Sequence, residues 1–271
     1  MTMLLIDAGN SRVKWATVES DAAVKLGAWV QYGALDNAHI TPQMFAEIAA
    51  PNRVLLSNVA GEKVAQGLLA ACAKWPCKVE LIAAQRQQCG VHNVYQEPAQ
   101  LGSDRWVALI AAWQQEGRAC LVVNCGTATT VDALSMEGNF MGGLILPGIE
   151  IMQRSLAHST AQLMESAGSL HAFPRNTADA IYSGAMRATL GAIQQQFAVL
   201  VQHVALKKQV NDEAKKSDSP TCLLSGGAAH HLQPHLTLPT VFVADLVLRG
   251  LQIIAQEVIS PENISPEAGT Q

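Results

Sequence analysis

LLIDAGNSRVKWATV, residues 4–18, and LVVNCGTATTVDAL, residues 121–134, are two versions of one pattern. Each opens as an apolar run of strand character and stops on a polar side chain, Asp7 or Asn124. Each then turns on a glycine, Gly9 or Gly126, passes Asn10 or Thr127, and returns as a second strand. Two such hairpins facing each other make a cleft lined by backbone N–H groups, small polar side chains and carboxylates, which suits a polyphosphate held with a metal. An Asp-initiated hairpin turn explains the first copy equally well. Its recurrence in the second half favours the phosphate cleft and predicts a duplicated fold.

The rest of the chain agrees with that expectation. Helical and strand patterns alternate, which argues α/β architecture. TPQMFAEIAA (41–50) reads as helical, RVLLSNVA (53–60) as a buried strand, AGEKVAQGLLAACAKW (60–75) as a helix and VELIAA (79–84) as a strand. SDRWVALIAAWQQEG (103–117) puts Trp106, Leu109, Ile110 and Trp113 on one helical face and stops at Gly117. FMGGLILPG (140–148) reads as a glycine-rich turn, residues 177–204 as a long helix, and TCLLSGGAAHHL (221–232) as strand, glycine turn and helix. KKQVNDEAKKSDSP (207–220) is expected to be a surface loop and SPENISPEAGTQ (260–271) a fraying tail. On the long helix, Gly184, Ala188 and Gly191 form a small-residue face, compatible with core packing or with a dimer interface. Two domains follow, 1–117 and 118–271, each opening on one hairpin.

With 271 residues, 49% of them apolar and 15% charged, the chain can bury a large core. A net charge of -4 gives no basic footprint for nucleic acid. The six cysteines are scattered without metal-site spacing, as reduced cytoplasmic thiols would be. No basic leader precedes the first apolar run, and no run approaches the roughly 20 residues that cross a bilayer, so neither export nor a membrane is expected. The absence of G-x-x-x-x-G-K-[ST], D-F-G and H-R-D excludes P-loop and protein kinases. His230 and His231 are adjacent, which points them in different directions on a helix, and they are expected at the surface without a metal.

Five segments then become specific in combination: DAGNSRVK (7–14), NVYQEPAQLGSDRW (93–106), NCGTATTVD (124–132), GGLILPG (142–148) and RNTADAI (175–181). In this order and spacing they resemble the type III pantothenate kinases, the family that includes the Bvg accessory factor proteins. The resemblance runs from Met3 to about Ser225. It implies duplicated ribonuclease-H-like domains of the acetate and sugar kinase, Hsp70 and actin superfold, a homodimer, and transfer of phosphate from ATP to the primary hydroxyl of pantothenate at the start of coenzyme A synthesis.

The resemblance also distributes roles. It makes Asp104, in LGSDRW, the proton acceptor, where position alone allows Ser103 or Asp104 to be a helix N-cap. Asp7, Gly9, Asn10 and Lys14 match the first phosphate hairpin, with Asp7 on the Mg²⁺ side and Lys14 as a point charge, although a strand lysine is usually solvated. Gly126 and Thr127 match the second, and Gly226 and Gly227 an adenosine-side turn. Asp132 is a weaker candidate site carboxylate. Tyr95, Gly102, Ser103, Arg105 and Thr177 fall on the substrate side. Arg105 offers the planar fork that grips a carboxylate, and Thr177 could equally cap the long helix.

One position departs from the family. Asn124 replaces the aspartate that binds an activating monovalent cation, K⁺ or NH₄⁺, keeping an oxygen ligand and losing its charge. A nucleotide-binding accessory protein with little turnover is therefore the alternative function.

Overall fold

The computed structural model describes residues 2–19, 24–159, 168–211 and 219–257. The first half builds β1 (Thr2–Ala8), β2 (Arg12–Glu19), β3 (Gln31–Asp36), β4 (Arg53–Asn58), α1 (Glu62–Cys72) and β5 (Val79–Leu81). The three opening strands form an antiparallel meander; β4 then lies parallel to β1 and β5 parallel to β4, in the order β3-β2-β1-β4-β5. After β6 (Gln87–Gln88), β7 (Val91–Asn93) and α2 (Ser103–Glu116), the pattern restarts.

Strands β8 (Cys120–Cys125), β9 (Ala128–Leu134) and β10 (Asn139–Pro147) form the second meander. Helices α3 (Ile149–Ser159) and α4 (Thr177–Asn211) follow, then β11 (Thr221–Ser225), α5 (Ala229–Leu232), β12 (Thr240–Phe242) and α6 (Leu246–Gln256). Strand β11 is parallel to β8 and β12 parallel to β11, so β10-β9-β8-β11-β12 repeats the order of the first sheet strand for strand. The hairpin repeat in the sequence is thus the visible end of a complete duplication, with α2 closing one copy and α6 the other.

Burial alternates along β1 in a way that explains its unbroken apolar run. Met3 and Leu5 face one core and Leu4, Ile6 and Ala8 another, so neither side can be polar. The outer core of the first sheet packs on α1 with Phe45 and Trp75, and that of the second on α4 and α5. Between the sheets lie α2 and α6, giving five layers in the order α1, sheet, α2 with α6, sheet, α4. This placement buries α2 almost all round from Trp106 to Ala112, and not on the single face that helical spacing suggested. At Gly250, in α6, a side chain would run into the Val107 backbone, so the close approach of these two helices requires glycine there.

The proposed boundary at residue 117 falls at the end of α2, yet the two sheets exchange elements across it. Strands β6 and β7 from the first half extend the second sheet beyond β10, and α6 from the second half packs against β1 and α2.

Several local expectations need correction. TPQMFAEIAA forms turns, because Phe45 is drawn between Trp15 and Trp75, at ring distances of 5.8 and 5.9 Å. FMGGLILP is strand β10 with a bulge between Phe140 and Gly142. The long helix continues through Asn211 into the expected loop; the remainder of that loop over 212–218, and the tail from 258, lie outside the described residues. Gly184, Ala188 and Gly191 lie exposed on α4, with open space beside both glycines, so core packing does not account for them.

Candidate active site

Each glycine hairpin closes on itself through its own backbone. Gly9 N–H donates to the Arg12 carbonyl at 3.0 Å, and Gly126 N–H to that of Ala128 at 3.0 Å. Their tips meet: the hydroxyls of Ser11 and Thr127 share a hydrogen bond of 2.7 Å. Asn37, which carried no sequence signal, latches the first tip by donating from Nδ2 to the carbonyls of Gly9 (2.9 Å) and Asn10 (3.0 Å). The second tip is braced by Gly148 N–H, which donates to Thr127 at 2.9 Å just before α3 begins.

The cleft between the tips has a volume of about 770 Å³ and is lined by Asp7, Gly9, Asn10, Lys14, Asp104, Asn124, Gly126 and Thr127 among others. Gly226 and Gly227 complete one wall. At φ 97°, with the Cys125 backbone where a side chain would sit, Gly226 cannot be another residue without strain.

Charge is concentrated on the inner wall. Burial, then the neighbouring Asp104, push the Asp7 carboxyl up to about 7, with Lys14 opposing and Asp245 adding to the rise. Burial likewise raises the Asp104 carboxyl, against the backbone N–H of Arg105, which donates to Asp104 Oδ1 at 2.8 Å. Burial works against charge on Lys14, but the 2.8 Å hydrogen bond to Asp245 together with the charges of Asp245, Tyr32 and Asp7 outweighs it and the ammonium pKa is raised. Tyr32 O–H donates to the same Asp245 oxygen at 3.2 Å. Two carboxyls that resist ionisation beside a fixed ammonium can receive a cation-bound polyphosphate and take up a proton.

Other candidate residues sit beside this wall, outside the cleft lining. Gly102 precedes α2, and the Ser103 hydroxyl is paired with that of Ser57 at 2.9 Å. The α2 N-cap is Gly102, so neither Ser103 nor Asp104 occupies that position. Arg105 is buried; its guanidinium donates to both Asp132 oxygens, one from Nε at 3.2 Å, and lies over the Phe140 ring at 5.7 Å. The fork expected to hold a carboxylate already holds one from within the chain. Tyr95 packs on Phe140 with ring centroids 5.1 Å apart. Thr177 is exposed at the start of α4, and Asn176 caps that helix by accepting from Asp179 N–H at 2.9 Å.

Asn124, at the end of β8, pairs in register with Thr130 and Ser225. Among the described residues no cluster of three or more His, Cys, Asp or Glu side chains could hold a metal. His230 and His231 are exposed but do not diverge as expected: their rings lie together, tilted by 40° with centroids 3.9 Å apart, and His231 lines the cleft. Asn37, Tyr32 and Asp245 escaped the sequence reading. Only Asp245 had a signal, an acid directly before an apolar-periodic run.

Solved structures share this architecture. A Baf family protein from Campylobacter jejuni superposes with a TM-score of 0.55 at 23% identity, covering 93% of this chain and 96% of its own. A Sinorhizobium meliloti protein assigned as a 2-dehydro-3-deoxygalactonokinase gives 0.52 at 15% identity, covering 99% and 98%. The fold class is therefore the duplicated α/β architecture that these structures share, with a cleft between its two hairpins.

Sequence comparison narrows the class. Residues 3–199 match the family model of type III pantothenate kinase. The type III pantothenate kinase of Nitrosospira multiformis is 42% identical over 255 residues, 94% of this chain and 91% of the relative; that of Aromatoleum aromaticum is 44% identical over 257, 94% and 98%. The chain belongs to the type III pantothenate kinase family.

Proposed function

We propose that the protein transfers the terminal phosphoryl group of ATP to the primary hydroxyl of pantothenate, the first step of coenzyme A biosynthesis. The observation that carries this reading is the contact of the two hairpin tips, Ser11 with Thr127, above a cleft that also holds Asp7 and Asp104. Purified protein should convert ATP and pantothenate to ADP and phosphopantothenate. ATP binding with no turnover would instead favour the accessory protein.

Asp104 orients the acceptor hydroxyl and takes its proton, an effect worth roughly 10²–10⁴ in rate. The backbone and side chains of Gly9, Asn10, Gly126 and Thr127, with the Lys14 ammonium, hold the phosphates in line, and positioning and charge supply the remaining acceleration. Gly226 and Gly227 lie on the adenosine side. Asp7 would hold Mg²⁺: burial and two neighbouring acids make its ionised form costly, and a divalent cation removes that cost. When bound, Mg²⁺ neutralises charge on the phosphate oxygens. On the acceptor side, Gly102 and Ser103 lead into Asp104, and Tyr95 offers an aromatic wall. Arg105, held by Asp132, fixes the head of α2 beside them. Thr177 remains a substrate contact on the family resemblance alone.

Asn124 is assigned to the monovalent-cation position, where it supplies an oxygen and no charge. A formal charge next to a monovalent cation is worth about 1–4 kcal/mol at separations near 4 Å. Asn124→Asp should therefore reach half-maximal activation at a K⁺ concentration at least about fivefold lower than the natural protein. Superimposable K⁺ titrations of the two would dispose of this assignment.

We also propose a homodimer. The open small-residue face of α4 and the exposed apolar side chains of Leu144, Ile145 and Phe173 support it. Sedimentation as a monomer at micromolar concentration would rule it out. No helix among the described residues is long and apolar enough to cross a membrane, and the substrates suit a cytoplasmic enzyme.

A further inference from the structure

The duplication extends to the acids at the centre of the molecule. In each copy the meander and two parallel strands are followed by a helix buried between the sheets, α2 in the first and α6 in the second. Each of these helices carries an aspartate at its head: Asp104 is the second residue of α2, and Asp245 is the N-cap immediately before Leu246 of α6. Asp104 lines the acceptor side of the cleft. Asp245, 231 residues from Lys14, takes the Lys14 ammonium at 2.8 Å and the Tyr32 hydroxyl at 3.2 Å on one oxygen.

Position 245 is the N-cap of α6, where aspartate is common and a left-handed backbone is tolerated, but its carboxylate is turned away from that helix. The Asp245 backbone is left-handed, φ 51°, a conformation that disfavours most side chains, and its carboxylate makes no capping hydrogen bond to its own helix. Strain of this kind persists where the surrounding structure holds it, often at a functional site. Here its carboxylate is held by the Lys14 ammonium and the Tyr32 hydroxyl. Across the β1–β2 ladder Lys14 stands directly opposite Asp7, so without Asp245 the nearest acid for its ammonium is the carboxylate assigned to the metal side.

We infer that Asp245 is a positioning residue for phosphoryl transfer: it draws the Lys14 ammonium away from Asp7 and aims it at the donor phosphates, the donor-side counterpart of Asp104. This rests on the kinase reading above.

The test is steady-state kinetics and thermal melting of the full chain carrying Asp245→Asn, Asp245→Gly, Lys14→Met, or Lys14→Met with Asp245→Asn. Asparagine keeps the size and tolerates the left-handed backbone, whereas glycine relieves it. Both single Asp245 variants should lose at least about tenfold in kcat with KM for pantothenate within about twofold, and the glycine variant should melt no lower than the asparagine variant. In the Lys14→Met background, Asp245→Asn should change kcat by less than about twofold, because the group it acts through is gone. Unchanged kcat in Asp245→Asn, an equal fold loss in both backgrounds, or melting losses that track the kinetic ones would overturn the inference. Wild-type protein that binds ATP and never transfers phosphate would overturn the kinase reading and this inference together.

Discussion

Asp104→Asn is expected to lower kcat for phosphate transfer at least about a hundredfold while ATP affinity stays within about threefold of wild type. Asparagine has the size of aspartate and still accepts the Arg105 N–H that now reaches Oδ1, so the head of α2 keeps its hydrogen bond. What disappears is the proton acceptor. Stability should move the other way. Burial raises the Asp104 carboxyl above its ordinary value, so its ionisation costs folding free energy as pH rises above the unfolded pKa. The uncharged variant escapes that cost and also relieves Asp7, whose carboxyl Asp104 helps to push up. At pH 8 the variant should melt at or above the wild type, and at pH 4 the difference should shrink. A kcat within about tenfold of wild type would remove Asp104 from the chemistry.

The second large effect concerns Arg105 and Asp132, whose side chains are 8% and 2% exposed. Truncating either alone, as Arg105→Ala or Asp132→Ala, strands a buried charge and should cost about 3–5 kcal/mol in urea-induced unfolding. Replacing both together, as Arg105→Met with Asp132→Leu, removes the desolvation cost of both ions and should cost less than either truncation. The pair has further neighbours to disturb. A side chain at Gly143 would collide with Asp132, and Phe140 lies under the guanidinium, so the bulge of β10 is moulded around this ion pair. Because Arg105 follows Asp104 directly, the truncations should also lower activity under conditions where the protein remains folded. Single truncations costing under about 1 kcal/mol would mean that the pair is far better hydrated than its burial indicates.

Much of this was legible before any coordinates. The apolar runs into Asp7 and Asn124 are strands buried on both faces, a state that leaves a continuous hydrophobic signature, and Gly117 ends α2 in the left-handed conformation expected of a helix stop. Asp7 and Asp104 do share a cleft. The errors share a physical origin. The spacing of Met44, Phe45 and Ile48 suits a helix, but the segment folds to serve Phe45, which two tryptophans hold in place. The glycines of FMGGLILPG read as a turn because glycine usually marks one; here Gly142 bends a strand and Gly143 makes room for Asp132. The basic run after residue 206 looks solvated, and Lys207 is indeed at the surface, but it pairs with Glu137 at 3.0 Å while the backbone stays helical. Asp245 offered a helix-start signal and nothing more, since its partner is a lysine 231 positions away.

The shared layer of α2 and α6 has a consequence for how the protein is made. The inner face of the first sheet, with Met3, Leu5 and Leu55, is covered by two helices far apart in the sequence, α2 over residues 103–116 and α6 over residues 246–256. A growing polypeptide cannot close that core until residues 246–256 have left the ribosome, so until then part of the first sheet's apolar inner face is uncovered. Loop closure over more than 200 residues is slow compared with local folding. The newly made amino-terminal half therefore carries uncovered apolar surface until α6 arrives, the condition in which partly folded chains aggregate, and its inner core closes late.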